Sequence, residues 1–283
     1  MPSYKQALEK ANKLTRKNNK ETSATKLLML HFSGLEPTEL YLQYEKEMPE
    51  DKYITYFEAL DKYLINNIPV QQIIGFVYFY GYKFMVDDHV LIPRFETEEL
   101  VANVLMLYDE YFDGQSIDLV DIGTGSGCLA ISLKKEEATN FSVTATDISL
   151  EAIEVAKKNA AINEVAVDFL VGDMLKPVMD KKFDILVSNP PYIPQDEQVD
   201  DIIYDNEPHI ALFGGVDGLK FYREILADAK HILKEKGMIA FEHGYDKAEQ
   251  LRAIAKENFP LAKIFTLKDM QKLDRMTFVV NGF

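Results

Sequence analysis

Four residues, Asn189-Pro190-Pro191-Tyr192, follow the apolar run 183–188 and have the types and spacing best suited to chemistry. Proline has no backbone N–H and a fixed φ, so two consecutive prolines must end the predicted strand and hold the backbone stiffly beyond it. The Asn189 side chain and the Pro190 carbonyl can then accept hydrogen bonds from a planar NH2 group, while Tyr192 covers one face. A rigid turn that only ends a strand would show the same sequence pattern. Whether these residues bind a substrate therefore depends on their neighbours.

A second motif, Asp121-Ile122-Gly123-Thr124-Gly125-Ser126-Gly127, follows the predicted strand 117–122 and opens a helix. Glycine permits positive φ and close approach of a ligand, and such a loop in a doubly wound sheet is typical of a nucleotide-type site. A dinucleotide fingerprint has Gly-x-Gly-x-x-Gly, but Cys128 occupies the position of its last glycine. The spacing Gly-x-Gly-x-Gly after an acid instead resembles S-adenosylmethionine-dependent methyltransferases.

Carboxylates follow three successive predicted strands. Asp121 ends the first, Asp147 ends the second, where it can bind both ribose hydroxyls, and Asp173 follows the third, near the expected adenine amino group. A cationic sulfonium prefers acidic surroundings, whereas a pyrophosphate would be repelled by Asp121. Helix capping or a turn explains each carboxylate equally well on its own, but the three together predict an S-adenosylmethionine site.

The predicted sheet brings the two motifs together. Strands and helices alternate beyond residue 115, which implies a parallel sheet covered by helices on both faces. The strands that end at residues 122 and 188 are expected to be neighbours at the switch point, with their carboxyl ends at one edge. A methyl donor beside a clamp for a planar NH2 group predicts N-methylation by in-line displacement, in which Asn189 and the Pro190 carbonyl stabilise the developing positive charge.

Composition limits the class of protein and its partners. The chain has 283 residues, a net charge of −15 and a sequence pI of about 4.8, which disfavours a nucleic-acid groove. No apolar run reaches the roughly 18 residues of a membrane span. The single cysteine cannot form an internal disulfide, so we expect a cytoplasmic protein. The five dispersed histidines predict no metal site, and we expect a monomer.

Three segments are predicted along the chain. Residues 1–75 read as a small bundle of amphipathic helices, in which Pro37 could open one helix and Pro49-Glu50-Asp51 another. Residues 76–96 contain aromatic and β-branched runs typical of a β-hairpin linker. Residues 97–283 form the α/β domain, and Thr97 is the predicted N-cap of its first helix.

Further motifs extend the resemblance to a family. The chain is similar to the HemK/PrmC family, the glutamine-N5 methyltransferases of class 1 peptide chain release factors, from about residue 69 to its end. Besides the glycine loop and the Asn189–Tyr192 clamp, the motifs that carry this similarity are Pro69–Gly75, Leu91–Glu98, Glu207-Pro208 and Gly214–Leu219.

This resemblance implies a class I, Rossmann-like methyltransferase domain with a small N-terminal helical domain that recruits the substrate. It implies S-adenosyl-L-methionine as cofactor and, as substrate, the side-chain amide of the glutamine in a Gly-Gly-Gln loop. It also implies that the clamp grips the substrate and that the cofactor contacts lie at Gly123, Thr124, Gly125, Ser126, Gly127, Asp147 and Asn189.

The sequence departs from the family pattern outside the clamp. Phe95 stands where the family usually has a second proline, and Lys247 stands where many members have glutamine. Met174, a predicted cofactor contact, occupies a position that is aromatic in some relatives. Arg94 is expected to form an ion pair at a helix start rather than to cover the cofactor.

Two other functions fit parts of the sequence. The first is an adenine-N6 methyltransferase, because adenine carries the same kind of planar NH2 group. Such an enzyme must flip the target base out of the nucleic acid and bind phosphates, which calls for a basic recognition region. The N-terminal helices offer only modest basic clusters. A binding scaffold without activity would not need both an intact glycine loop and an intact clamp.

Overall fold

The computed structural model describes all 283 residues and contains two compact units. The helical unit comprises Met1–Phe76 together with Val199–Asn206, and the sheet unit comprises Val77–Gln198 together with Glu207–Phe283. The short second segment of the helical unit is not apparent in the sequence. None of the helices has both the length and the apolar character that a membrane span requires.

Eleven α-helices occur along the chain. They are α1 Tyr4–Lys17, α2 Ser23–Ser33, α3 Pro37–Leu42, α4 Glu50–Leu64, α5 Val70–Ile74, α6 Phe95–Phe112, α7 Cys128–Glu136, α8 Leu150–Ile162, α9 Asp201–Tyr204, α10 Lys220–Ile232 and α11 Ala248–Asn258. Pro37 begins α3 and Glu50 begins α4, which confirms both predicted helix starts. Short 3-10 turns cover Lys176–Val178 and His209–Ala211.

The helical unit is built on an apolar interior that α1 to α5 share. Leu28, Leu40, Tyr56 and Leu60 are fully buried there, and the Tyr56 hydroxyl donates to the Thr25 carbonyl at 3.1 Å. The segment that contains α9 joins the same unit through Asn206, whose side-chain amide donates to the Asn67 carbonyl at 2.8 Å. The Asn206 carbonyl accepts in turn from Gln72 Nε2 at 2.8 Å, so residues distant in sequence hold this segment in the unit.

Nine β-strands form a hairpin and one large sheet. They are β1 Phe76–Phe79, β2 Tyr82–Met85, β3 Ile117–Ile122, β4 Phe141–Asp147, β5 Asp168–Val171, β6 Phe183–Ser188, β7 Leu233–Glu242, β8 Lys263–Lys268 and β9 Asp274–Asn281. The seven-stranded sheet has the order β5-β4-β3-β6-β7-β9-β8, with β9 antiparallel to both of its neighbours and the other pairs parallel. The α/β prediction is confirmed, as is the predicted pairing of β3 with β6.

Apolar cores lie on both faces of the sheet. In β3, Leu119 packs into one core and Val120 into the other, and in β6 Val187 and Leu186 divide in the same way. Because both faces are covered, these strands are near-continuous apolar runs rather than alternating ones. Continuous burial rigidly fixes the ends of β3 and β6, where the predicted site residues begin.

The prediction that Thr97 caps α6 is wrong. The helix begins two residues earlier, at Phe95, and its N-cap residue Arg94 makes no capping hydrogen bond through its side chain. Thr97 lies inside the first turn and is buried, and its hydroxyl receives a hydrogen bond from Asn189. The Thr97 hydroxyl, which the local sequence pattern predicts as a helix cap, instead binds Asn189, a residue far away in sequence.

Asn159 is a buried polar hub that the sequence did not indicate. Its Oδ1 accepts from the Met85 backbone N–H at 2.7 Å, and its Nδ2 donates to the carbonyls of Met85 at 3.0 Å and Ser126 at 2.8 Å. One side chain of α8 thus joins the end of β2 to the glycine loop. Since buried backbone groups need partners, this amide holds all three segments in register.

We expect Asn159→Ala to lower the free energy of unfolding by about 1–3 kcal/mol, because it leaves buried backbone groups without partners. Urea unfolding followed by circular dichroism measures this loss. Lys158→Ala, one residue earlier on the exposed face of the same helix, is the matched control. Equal stability of the two variants would contradict the assigned role.

Candidate active site

A cavity of about 550 Å³ lies at the carboxyl ends of the central strands, within the ~300–1,000 Å³ range of small-molecule sites. Nine of the predicted site residues line it: Gly123, Thr124, Gly125, Ser126, Asp147, Asp173, Met174, Asn189 and Pro191. Asp121, Gly127, Pro190 and Tyr192 do not line it and lie behind its wall or beside it. The glycine loop and the start of the clamp therefore face one cavity.

The glycine loop leaves the sheet with its backbone turned toward the cavity. The N–H groups of Gly123 and Thr124 both donate to the Thr146 carbonyl at 2.9 Å. Gly123 and Gly125 have φ of +73° and +54°, and no atom lies within 4 Å of the place where a Cβ would stand on either. Glycine is therefore required there for the backbone conformation, and it leaves open space above the loop.

Gly127 needs glycine for a different reason. A Cβ at this position would lie 2.8 Å from Ile131 Cδ1 and 3.2 Å from the Cβ of Ala156. The residue also has a φ of +82° just before α7. Gly127 thus permits close packing of α7 against α8, whereas Gly123 and Gly125 shape the cavity wall.

Asp147 ends β4 at the cavity wall. Its Oδ2 accepts from the Gly125 N–H at 2.8 Å, and its Oδ1 accepts from the Ser149 N–H at 2.9 Å. Burial raises the pKa of Asp147, and these two backbone N–H groups oppose that rise. Because each carboxylate oxygen can accept a second hydrogen bond, Asp147 retains capacity for a pair of hydroxyls.

Asp121 is fully buried beneath the loop. Its Oδ2 accepts from Thr124 Oγ1 at 2.6 Å and from the Ala130 N–H at 3.3 Å, whereas its Oδ1 has no hydrogen-bond partner. Burial raises the pKa of Asp121 to about 7. A buried carboxylate with an unused oxygen below a cationic ligand site fits such a ligand electrostatically, because the ligand's positive charge favours the ionised form.

The third acidic position is more open. Asp173 Oδ2 forms an ion pair with Lys176 at 2.6 Å, and its side chain is half-exposed. Met174 has a φ of +46°, and its carbonyl accepts from Thr146 Oγ1 at 3.2 Å. On the opposite lip, Asp87, Asp88 and His89 bring their ligand atoms within 4.8 Å of one another, a spacing that exposed acidic groups commonly show without a metal ion.

The clamp is held by close backbone contacts with a second glycine loop. A Cβ on Gly214 would lie 2.4 Å from the Pro191 carbonyl oxygen, and one on Gly218 would lie 2.2 Å from the Tyr192 carbonyl oxygen. Pro190 is buried, and the Tyr192 ring packs against the core on the α10 side of the sheet. Burial raises the pKa of Tyr192 to about 12, so its phenol stays protonated.

An ion pair joins two of the motifs that flank the site. Arg94 Nη2 donates to Glu207 Oε1 at 2.6 Å, and Glu207 Oε2 accepts from the Ile92 N–H at 3.3 Å. Glu207 is buried and Arg94 is about a third exposed. The prediction of an ion pair at the start of α6 is confirmed, and the pair fixes the loop that follows the clamp.

Two further residues belong to the site although sequence reasoning missed them. Asn189 Nδ2 donates to Thr97 Oγ1 at 3.2 Å. Buried Glu242 ends β7, directly beside β6. Burial raises its pKa to about 7, and hydrogen bonds from Thr97 and Asn189 oppose that rise. An acid at a strand end was the available signal, as for Asp121 and Asp147.

These observations fit an S-adenosylmethionine site. A nucleoside that carries a positive charge suits three features of the site. These are the open glycine backbone, the free lone pairs of Asp147 and the buried acid Asp121. Asn189 and Pro191 border the same space. A planar group bound at the clamp would therefore meet the reactive end of the cofactor.

Comparisons with known proteins identify the family. A family model described as the PrmC N-terminal domain matches residues 6–75, and the model of the methyltransferase small domain matches residues 103–206. Among curated proteins, the release factor glutamine methyltransferase of Bacillus subtilis is 39% identical, over 95% of each chain. That of Staphylococcus aureus is 37% identical over 98% of each chain. The chain belongs to the release factor glutamine methyltransferase family.

Solved structures show the same fold. A methyltransferase from Pyrococcus furiosus has a TM-score of 0.51 and 21% identity, over 81% of this chain and 96% of that one. The hMettl16 catalytic domain, in complex with MAT2A 3'UTR hairpin 6, has a TM-score of 0.54 and 13% identity, over 83% of this chain and 82% of that one. At such identities the likeness concerns the fold alone. This likeness confirms the Rossmann-like fold. Membership of the family confirms a methyltransferase with S-adenosylmethionine as the cofactor.

The buried acid of the glycine loop makes stability depend on pH. Because the pKa of Asp121 rises from 3.8 to about 7 on folding, the folded state binds more protons than the unfolded state between these values. Asp121 therefore destabilises the fold progressively as pH rises through that window. We expect the stability gained by Asp121→Asn over the parent chain to increase from pH 3.8 to about pH 7 and to level off above it.

Urea unfolding without cofactor at several pH values measures this difference. The other titrating groups, including Glu242, are present in both proteins and cancel in the comparison. Parallel pH profiles for the two proteins would contradict the raised pKa of Asp121.

Proposed function

We propose that the chain transfers a methyl group from S-adenosyl-L-methionine to the side-chain amide nitrogen, N5, of the glutamine in the Gly-Gly-Gln motif of class 1 peptide chain release factors. Transfer of this kind would support translation termination. The observation that carries the proposal is the single cavity that both the glycine loop and the clamp border. The relatives named release factor glutamine methyltransferase, which match nearly the whole chain, support glutamine as the substrate.

The cofactor would be held by the residues of the glycine loop and the acids around it. Asp147 would bind the ribose hydroxyls through its free lone pairs, and Asp173 and Met174 would border the adenine. Asp121 would act from beneath the loop, where its charge favours a cation. Bound there, S-adenosylmethionine supplies an electrophilic methyl group beside Asn189.

The clamp would orient the glutamine amide. The Asn189 side-chain oxygen and the Pro190 carbonyl would accept its two hydrogens, so that the nitrogen turns its lone pair toward the methyl group. These fixed acceptors would also stabilise the positive charge that develops on nitrogen, before it loses one hydrogen as a proton. Pro191 and Tyr192 would shape the opening, with the Tyr192 ring beside the bound amide. Positioning of this kind can supply about 7–11 kcal/mol.

The remaining assignments follow from the same function. Residues 1–75 would recruit the release factor, and residues 76–96 would link them to the methyltransferase domain, residues 97–283. The active form would be a monomer. The net charge of −15 supports a protein substrate without direct nucleic-acid contact. The protein would act in the cytoplasm, where its substrates, the release factors, take part in translation. A single cysteine is consistent with a reducing compartment.

The adenine-N6 alternative is not favoured. It shares the planar NH2 group, so the clamp alone does not separate the two substrates. The curated relatives named for release factor glutamine cover nearly the full chain at 36–39% identity, whereas the RNA-bound neighbour shares only the fold.

The substrate is tested with labelled S-adenosylmethionine and three acceptors: a class 1 release factor, the same factor with alanine in place of the Gly-Gly-Gln glutamine, and an adenine-containing oligonucleotide. We expect label only on the first acceptor, because the second lacks the amide and the relatives that match nearly the whole chain are named for release factor glutamine. Mass spectrometry of the tryptic peptide locates the methyl group. Label on the oligonucleotide and none on the release factor would contradict the proposal.

Asn189→Ala should abolish methyl transfer, because the amide hydrogens of the substrate lose a fixed acceptor. Cofactor binding, measured by isothermal titration calorimetry, should remain largely intact, since the glycine loop and Asp147 are unchanged. A thermal melt verifies folding of the variant. Turnover equal to that of the parent chain would refute the role of Asn189.

A further inference from the structure

Glu242 lies beside the clamp because of the sheet register. In the parallel pair of β6 and β7, Ser188 is aligned with Phe241, so the next residues, Asn189 and Glu242, lie side by side where the two strands end. The Glu242 side chain is 1% exposed. Its backbone carbonyl accepts from the Tyr222 hydroxyl at 2.7 Å, which fixes this strand end.

The orientation of the Asn189 amide is not determined by Thr97 alone. Asn189 Nδ2 donates to Thr97 Oγ1 at 3.2 Å. A hydroxyl can accept a hydrogen bond or donate one, so Thr97 could face either the nitrogen or the oxygen of the amide. In the observed orientation Nδ2 is used by Thr97 and no hydrogen bond from the protein reaches Asn189 Oδ1, so this oxygen is available at the cavity that Asn189 lines.

Glu242 removes this ambiguity. Thr97 and Asn189 are the side chains whose hydrogen bonds favour its ionised form. An ionised carboxylate only accepts, so a Thr97 hydroxyl that bonds it gives its hydrogen to Glu242. Thr97 Oγ1 then accepts from Asn189 Nδ2, which is the hydrogen bond observed at 3.2 Å. In addition, Glu242 Oε2 has no hydrogen-bond partner, so the opposite amide orientation would turn Asn189 Oδ1 toward an unsatisfied acceptor.

We propose that Glu242 is a positioning residue that, together with Thr97, orients the Asn189 amide with its oxygen toward the substrate. The inference rests on the proposed function, because this orientation serves an acceptor that carries an NH2 group. With the amide reversed, the Asn189 nitrogen would confront the nitrogen of the substrate, donor against donor. Glu242 itself touches neither substrate nor cofactor.

The surroundings of Glu242 make this positioning sensitive to pH. Burial raises the pKa of Glu242 to about 7. The titratable and charged groups that act on it or feel its charge are Arg275, Glu96, Tyr192, Tyr222 and Cys128. On protonation the carboxyl group gains a hydrogen to donate, and the Thr97 hydroxyl is free to donate to Asn189 Oδ1. Turnover should therefore fall as pH drops through this region.

The test compares Glu242→Gln, Thr97→Val and the double variant with the parent chain, and uses Glu249→Gln on exposed α11 as the matched control. We expect kcat for the release factor to fall about 100-fold in both single variants, the size of loss that misplacement of a reacting group causes. Cofactor affinity by calorimetry and KM should stay near the parental values. Thr97→Ser should restore turnover, and Glu249→Gln should leave it unchanged.

Coupling between the two residues is the decisive outcome. If Glu242 and Thr97 orient the same amide, the double variant loses less than the two single losses combined. Additive losses, or parental turnover in Glu242→Gln, would overturn the proposal. The acid limb of the pH profile of kcat should also disappear in Glu242→Gln, and an unchanged limb would count against the role.

A readout without turnover separates this inference from the proposed function. The side-chain amide signal of Asn189 in a ¹⁵N–¹H spectrum should shift with pH in the parent chain and stay constant in Glu242→Gln. A signal that is insensitive to pH in the parent chain would overturn the positioning role. If instead the signal behaves as expected but no release factor is methylated, the proposed substrate fails and the role of Glu242 stands.

Discussion

The parallel pairing of β3 with β6 is the interaction on which the rest of the site depends. Asp121 is aligned with Val187 in this pair, and the Ser188 hydroxyl donates to the Ile122 carbonyl at 2.6 Å where both strands end. Because parallel strands end at one edge, the glycine loop and the clamp begin side by side. Burial of both strands on both faces makes that edge stiff.

Buried polar side chains hold the loops that follow the ends of the strands. Asn159 binds the glycine loop to the hairpin strand β2, and Glu207 binds Arg94 and the backbone of Ile92. Such groups are costly to bury unless they are satisfied, so each holds its partners in one arrangement. The loops around the cavity therefore owe part of their order to these few polar contacts.

Local signals in the sequence were sufficient for much of the architecture. The strands Ile117–Ile122 and Phe183–Ser188 coincide with their predicted bounds, because runs buried on both faces are apolar throughout. Ser149 caps α8 as its side chain accepts from the Ala152 N–H, a contact within one turn. The largely apolar stretch 165–171 forms a strand only from Asp168, since strand ends depend on a partner rather than on composition.

The sequence by itself determined the chemistry of the site: a glycine loop that requires positive φ, acids at strand ends and a proline-stiffened clamp. These are local properties, set by the residue types and the bonds next to them. Tertiary structure decided which groups meet. It took the Thr97 hydroxyl away from a helix cap and gave it to Asn189, and it buried Glu242 beside them. No local pattern encodes that register, because it arises from the pairing of β6 with β7 and the packing of α6, segments far apart along the chain.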